Sequence, residues 1–231
     1  MMNASSAPAS PRKRITLLEV AVVIVLIAIL VALLEPFPSS PEYSHFLFRQ
    51  ANNGRMISNA MANYAGDGEY PLYRDKKDPT TKICESNAAF DILLEGGYLD
   101  DKKLLFQTNS PWCHKVADSQ AKPKEVMPGE NDWCYVAGLN HSTAKPDWPI
   151  LANAFVPGTT YYTTDVAKKG GSYRGKKAVV VYCDGHTEIV RLPPKKDFTI
   201  VPRKDKRTEE DAFAPTTDWL TGPNVKVLYP K

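Results

Sequence analysis

A small set of side chains in this sequence could carry chemistry: four cysteines, four histidines and one isolated acid inside an apolar run. The cysteines are Cys84, Cys113, Cys134 and Cys183. In an oxidising compartment such thiols commonly form disulfides, and four cysteines allow three pairings that a sequence cannot separate. We therefore predict these four residues as disulfide candidates.

Two alternative uses of the thiols are a metal site and a thiol enzyme. A metal site would recruit Cys113, His114, Cys134, Cys183 and His186, but these residues lack the C-x-x-C or H-x-x-x-H spacing that fixes two ligands together. A thiol nucleophile needs a base within hydrogen-bond reach and a third group that orients it. Because adjacent strand residues point to opposite faces, Cys113 and His114 would not meet. We predict no metal ligands, no catalytic residues and no enzyme.

The isolated acid is Glu19, which lies in the apolar segment Ile15–Leu34 with Thr16 as the only other residue that is not apolar. Twenty helical residues span roughly 30 Å, the thickness of a bilayer's hydrocarbon core. The pattern predicts a transmembrane helix over residues 15–35. A charged carboxylate costs about 2.5–3.5 kcal/mol at the centre of such a helix. It would snorkel, become protonated, or pair with a cation on a neighbouring copy.

Three cations, Arg12, Lys13 and Arg14, precede the apolar segment and account for the whole net charge of +3. The other basic and acidic residues balance, so the chain lacks the basic footprint expected of a nucleic-acid-binding protein. Basic residues before a membrane span favour a cytoplasmic amino terminus. The sequence thus predicts a single-pass membrane protein whose head lies across the membrane. The family resemblance described below implies that this membrane is the inner membrane and that the head is in the periplasm.

Composition and periodicity divide the rest of the chain into segments. We assign 1–14 to a basic leader, 15–35 to the membrane helix, 36–71 to a kink and an amphipathic stem helix, 72–192 to an α+β head, and 193–231 to a charged, Pro-rich extension. The length fits one ordinary domain of roughly 150 residues. Apolar residues from Leu47 to Tyr64 recur at helical spacing, although Gly54 costs about 1 kcal/mol relative to Ala.

Within the head, turn and strand patterns predict further elements. Ser86 can cap a helix through Leu94 that ends at Gly96-Gly97. Residues 133–137 and 150–156 read as strands. The runs 178–183 and 186–190 flank Asp184-Gly185, the preferred pair for a type I′ turn, and predict a β-hairpin. In the extension, Ile200 and Trp219 favour a segment that wraps the domain.

The amino-terminal pattern resembles type IV pilins and the pseudopilins of type II secretion. The resemblance rests on the basic leader, on Ile15-Thr16-Leu17-Leu18-Glu19 and on Pro36, which lies twenty-one residues after Ile15. It implies that prepilin peptidase cuts between Arg14 and Ile15, that the new amino terminus is methylated, and that Thr16 and Glu19 belong to the assembly region. Pro36 would lie at the helix kink. Arg14 stands where the family usually has Gly.

Further motifs resemble the pilin-like proteins common in planctomycetes and verrucomicrobia. Asn59, the run 64–67 and Tyr70-Pro71 look like the end of the stem helix in that group, and Asp184-Gly185-His186 looks like its carboxyl-terminal turn motif. The family's His ten residues before the Asp is replaced here by Arg174. Some major pseudopilins bind calcium, but the acids near Asp67 and Glu209 are not spaced like a calcium loop. We predict no cofactor, with calcium as a minor alternative.

Together these patterns predict an α+β, pilin-like fold: a long transmembrane helix whose Pro-kinked extension packs on a small antiparallel sheet. The resemblance implies a structural subunit of a type II secretion or type IV pilus-like filament. Its partners would be copies of itself, other pseudopilins, prepilin peptidase, the inner-membrane secretion platform and the lipid bilayer. The alternative is a single-pass, membrane-anchored periplasmic domain that binds a ligand and does not polymerise.

Overall fold

The computed structural model describes residues 20–27, 41–66, 68, 70, 85–106, 110–113, 125–193, 199–200, 211–214, 217, 220 and 225–231. The chain divides into two compact units, Met1–Pro41 and Glu42–Lys231.

In the first unit, residues 20–27 are helical, and all eight are apolar and exposed. Their seven large side chains are 48–62% exposed. Eight helical residues span only about 12 Å. No helix in the described parts of the chain is both long and apolar enough to cross a membrane.

This finding corrects three predictions. The fold class was wrong in its long transmembrane helix, and the transmembrane assignment and the inner-membrane, periplasmic localisation built on that helix are withdrawn with it. The predicted processing and assembly residues Arg14, Ile15, Thr16, Glu19 and Pro36 lie outside the described residues.

The amphipathic stem helix is confirmed as α1, Pro41–Ala65. Its apolar stripe, Leu47, Ile57, Ala60 and Met61, is almost completely buried. The helix closes at Gly66, whose positive φ of 51° is the left-handed conformation that glycine adopts readily. The helical period in the sequence therefore located both the element and its buried face.

The second helix, α2, spans Ser86–Glu95 and is followed by a short 3-10 helix at Lys102–Leu104. The N-cap of α2 is Glu85, one residue before the predicted Ser86, and its side chain makes no capping bond. Ser86 instead donates its hydroxyl to the carbonyl of Trp133 at 2.7 Å. The residue predicted as a cap therefore ties the helix to the sheet.

Five antiparallel strands form one sheet: β1 Trp133–Ala137, β2 Pro149–Asn153, β3 Lys177–Tyr182, β4 Thr187–Arg191 and β5 Lys226–Leu228. Their order is β4-β3-β2-β1-β5. The predicted hairpin is confirmed as β3 and β4. The carboxyl-terminal segment supplies the edge strand β5 beside β1, and Ile200 and Phe213 are buried. The described residues of the extension thus pack on the domain, as predicted for Ile200, while Trp219 lies outside the described residues.

Helix α1 and the sheet meet at Gly54. A Cβ on this residue would lie 2.7 Å from ring atom Cη2 of Trp133 and 2.7 Å from Cγ2 of Val181, both side chains being fully buried. Contacts that short do not occur in well-packed interiors. The glycine that weakens the helix locally is therefore what allows the helix to lie close to the sheet.

Candidate functional site

The predicted turn motif lies at the tip of the β3–β4 hairpin, but it forms a different turn from the type I′ turn predicted. Gly185 has φ 77°, whereas Asp184 is not at positive φ. The amide of Gly185 donates to the carbonyl of Tyr182, and the amide of Tyr182 donates to the carbonyl of His186, both at 2.9 Å. This is the three-residue loop in which a type I turn ends in a left-handed glycine. The prediction of a type I′ turn was therefore wrong.

Asp184 stabilises the same turn with its side chain. Its Oδ1 accepts the amide of His186 at 2.8 Å, an interaction that favours Asp in turns because it satisfies the backbone two residues on. The His186 ring stacks on Tyr182, with 6.0 Å between centroids. The turn thus presents one carboxylate and one imidazole, both on exposed residues.

A polar cleft of about 360 Å³ lies between this turn and helix α1. The helix contributes Arg55 and Asn59, and the hairpin contributes residues 184–187. Arg55 and Asn59 share one face of the helix because they are four residues apart. Asn59 Oδ1 is also the nearest atom, at 3.8 Å, to the position that a Cβ on Gly185 would occupy.

Thr187 reaches the cleft from the sheet. It is paired with Val181 across the hairpin, and directly opposed residues lie on the same face of a sheet. Since Val181 faces Gly54 of α1, Thr187 also faces the helix. Its Oγ1 is buried and has no hydrogen-bond partner among the described residues.

Arg55 and Asn59 are likewise without partners. In the described part of the chain no carboxylate pairs with the Arg55 guanidinium, and no group hydrogen-bonds the Asn59 amide. Both residues are exposed, so water solvates their polar groups. The cleft therefore presents one guanidinium and one amide to solvent beside the Asp184 carboxylate.

The cysteines do not form a reactive site in the described structure. Cys134 and Cys183 are free thiols. Cys134 is fully buried on β1, where its Sγ accepts the amide of Phe155 at 3.4 Å, and burial raises its pKa far above the ordinary value. Burial also raises the pKa of Cys183 to about 12. Both thiols therefore stay protonated at neutral pH, and a protonated thiol is a poor nucleophile.

The remaining predicted cysteine and metal residues form no metal site among the described residues. Cys113 is buried, while Cys84 and His114 lie outside the described residues. Where the structure describes the chain, no three His, Cys, Asp or Glu side chains are grouped so that they could hold a metal ion. The three predicted turn residues, Asp184, Gly185 and His186, are brought together at the cleft.

A second polar group lies deep under α1, at Asp132. This carboxyl is fully buried and accepts hydrogen bonds from Gln50 Nε2 at 2.9 Å, Ser172 Oγ at 3.3 Å and Asn153 Nδ2 at 3.4 Å. Tyr173 donates its hydroxyl to Gln50 Oε1. Desolvation raises the Asp132 pKa to about 7, although the hydrogen bonds oppose that shift. The network joins helix, sheet and the 165–176 loop.

Sequence reasoning missed Arg55, Thr187 and Asp132, and it named Asn59 only as part of the motif at the end of the stem helix. The four-residue spacing of Arg55 and Asn59 marks a polar helix face, and Thr187 continues a strand, but neither pattern states which helix face meets which turn. Asp132 comes directly before a strand that is buried along its whole length. That position was the available signal for a buried acid.

No family model, curated protein or solved structure matches this chain.

Proposed function

We propose that this chain is a structural subunit, similar to a pseudopilin of a type II secretion or type IV pilus-like filament, that self-associates through its apolar amino-terminal segment. The observation that supports this proposal is the exposure of the helical residues 20–27. Each of their seven large apolar side chains leaves about half of its surface uncovered.

Burial of the exposed surface of these seven side chains would favour association between copies of the chain. Fully burying one Val, Leu or Ile side chain contributes about 1.5–3 kcal/mol. Covering the exposed half of seven such side chains would therefore contribute roughly 5–10 kcal/mol before the entropy of association is subtracted. That amount is comparable to the cost of association, about 4–15 kcal/mol, so burial of this segment is the main favourable contribution that the proposal depends on. One apolar helix surface readily packs against another.

The architecture of the second unit is consistent with a displayed head. Helix α1 is held on the sheet by the close approach at Gly54 and by the buried bond from Gln50 to Asp132. The second unit is therefore a packed domain of helix and sheet, as the head of such a subunit would be. The proposed partners are copies of this chain and related pseudopilins, with a prepilin peptidase and a secretion platform acting on them.

The experiment is a sedimentation-velocity concentration series on the full chain and on Ile24→Glu. This variant places a charge at the most exposed side chain of residues 20–27. We expect the wild-type chain to self-associate, and the variant to need at least about tenfold higher concentration, because burying an unpaired charge costs several kcal/mol. Asn52→Glu is the matched control, since it adds the same charge at an exposed position of α1.

Two outcomes would overturn the proposal. One is a wild-type chain that stays monomeric at every concentration, and the other is an Ile24→Glu chain that associates as strongly as the wild type. Thermal unfolding of both variants verifies that the head remains folded. Intact-mass analysis of the cellular protein tests the peptidase separately, because a species that begins at methylated Ile15 supports the family's processing step.

A further inference from the structure

Two side chains of the 165–176 loop are anchored in the buried polar network around Asp132. The Ser172 hydroxyl donates to the carboxyl, with 3.3 Å to Oδ1 and 3.4 Å to Oδ2. The Tyr173 hydroxyl donates to Oε1 of Gln50, and Gln50 Nε2 donates to the carboxyl at 2.9 Å. Both anchors of the loop therefore depend on Asp132, one directly and one through Gln50.

The geometry around Asp132 suits a neutral carboxyl better than a charged one. Of the side-chain bonds that it accepts, only the bond from Gln50 has an ordinary length. The bonds from Ser172 and Asn153 measure 3.3–3.4 Å, which is longer than the usual range. In the described part of the chain no cation pairs with this carboxyl. Because a poorly compensated charge is costly in a dry interior, ionisation favours any motion that admits water.

The other groups that face Asp132 supply no positive charge. Helix α1 and strand β2 contribute only the two neutral amides already described. Cys134 of β1 and Tyr162 lie close enough for the Asp132 charge to act on them, but burial is the main cause that raises the pKa of both far above the ordinary value, so both stay neutral. The network therefore titrates through Asp132.

The charged side chains of the loop itself are directed elsewhere. Lys169 donates its ammonium to the carbonyl of Pro230 at 2.9 Å, and Lys168 forms an exposed ion pair with Asp165 at 3.5 Å. These contacts leave the carboxyl of Asp132 with neutral loop partners only. Loop and carboxyl are thus coupled by hydrogen bonds and by shared exclusion of water.

Of the segments that meet at the network, the loop is the one that opens most easily. Helix α1 is fixed by its buried apolar stripe, whereas Tyr173 is the only large side chain that residues 165–176 bury. Arg174, with φ 54°, is the only non-glycine residue at positive φ in the described chain, a conformation that costs free energy for a residue with a Cβ. Segments with few buried apolar contacts open at the lowest free energy.

We propose that the 165–176 loop is a pH-sensitive flap over Asp132, which opens more often once this carboxyl ionises and then admits water to the buried network. The inference is independent of self-association, since the loop, α1 and the sheet all belong to the second unit.

The test is amide hydrogen exchange, followed by mass spectrometry, on the full wild-type chain and on Asp132→Asn at pH 5.5 and pH 8.5. Burial raises the Asp132 pKa to about 7, so the two conditions lie on either side of its ionisation. The intrinsic exchange rate changes with pH equally in both proteins. We expect the ratio of wild-type to variant exchange in the loop to rise at least about tenfold between the two pH values.

The amides of β1 distinguish local opening from global unfolding within the same molecule. In the wild-type protein at pH 8.5 the loop amides should exchange at least about tenfold faster than those of β1, because the loop opens while the sheet stays intact. This comparison needs no variant, so it holds even if Asp132→Asn folds poorly.

Two further variants separate the titrating group from the anchor. Tyr173→Phe removes the loop's bond to Gln50 and leaves the carboxyl in place, so loop exchange should be about threefold to tenfold faster already at pH 5.5, and it should still rise with pH. Asp165→Asn is the matched control, because it makes the same substitution at an exposed acid of the same loop. It should keep the wild-type pH dependence.

Three results would each overturn the proposal. The first is a ratio of wild-type to Asp132→Asn exchange that does not change with pH. The second is a loop that exchanges no faster than β1 at pH 8.5, which would mean that only global unfolding exposes the network. The third is loss of the pH dependence in Asp165→Asn, which would assign the titration to a surface acid.

Discussion

Two acids only two residues apart are buried in different ways. Glu130 forms an ion pair with Lys102, with 2.9 Å between Oε2 and Nζ, and both side chains are at most 7% exposed. Asp132 is fully buried, and its partners Gln50, Asn153 and Ser172 are all neutral. At the first site a cation compensates the charge of the carboxylate. At the second site the neutral acid is favoured instead, because desolvation raises the Asp132 pKa to about 7.

The difference follows from what each acid connects. Glu130 also accepts the amide of Met127 at 2.9 Å, and Lys102 Nζ donates to the carbonyl of Glu125 at 3.4 Å. The ion pair therefore holds residues 125–130 against the 3-10 helix. Asp132 is bonded by Gln50 of α1, by Asn153 of β2 and by Ser172. Its amide and hydroxyl partners therefore connect the helix, the sheet and a loop through one carboxyl.

The largest expected loss of stability in this comparison follows from removing Lys102, the cation of the buried ion pair. Lys102→Met should destabilise the head by about 3–5 kcal/mol, because it leaves Glu130 buried and charged without a partner. Chemical denaturation at neutral pH measures the change. Lys102→Met/Glu130→Gln removes both charges of this ion pair, so most of the stability should return. A double variant as unstable as the single one would contradict the argument.

The next effect concerns pH. Because the folded pKa of Asp132 is raised from 3.8 to about 7, the folded protein binds more protons than the unfolded chain between these values, and stability falls as pH rises through that window. We expect the head to lose roughly 2 kcal/mol between pH 5 and pH 8 on account of this residue. The pH dependence should be measured by urea denaturation.

Asp132→Asn sharpens this prediction, since an amide keeps the shape and cannot ionise. Its stability should vary less with pH than that of the wild type, and its advantage over the wild type should be greatest at pH 8. Parallel stability curves for the two proteins would exclude Asp132 as the titrating group.

The smallest effect is that of a single neutral partner. Ser172→Ala removes one of the hydrogen bonds to Asp132, and we expect a loss of about 0.5–1.5 kcal/mol at pH 5. The bond is stronger to the charged carboxylate, so the loss should grow at pH 8. Differential scanning calorimetry at both pH values measures it, and a loss that shrinks with pH would contradict the assignment.

Local patterns predicted the elements of the head well. The helical period indicated α1 and its buried stripe, and the β-rich runs around Asp184-Gly185 indicated the hairpin. The turn type was wrong because the dipeptide permits more than one loop, and the geometry of the flanking strands selected the one in which Gly185 alone is left-handed. The prediction of a membrane helix was wrong in a different way, because the described helical residues of that segment, 20–27, are too few to cross a bilayer.

The candidate site was only half predictable. Asp184, Gly185 and His186 stood out as a motif, and Asn59 belonged to a separate one, but Arg55 and Thr187 are ordinary polar residues in their own segments. They come together because α1 packs on β3 through Gly54 and Val181. Asn59 and Asp184 are 125 positions apart in the chain, and no local sequence pattern predicts a contact across that separation.

The sequence by itself determined which stretches are helical or extended, since side-chain periods of 3.6 and 2 act on neighbouring residues. Tertiary structure alone decided three other features: that Gly54 is a contact point, that Asp132 is held without a cation, and that a carboxyl-terminal segment completes the sheet. Each depends on which surfaces exclude water from one another. That property belongs to the packed chain, because desolvation requires groups from distant segments to meet.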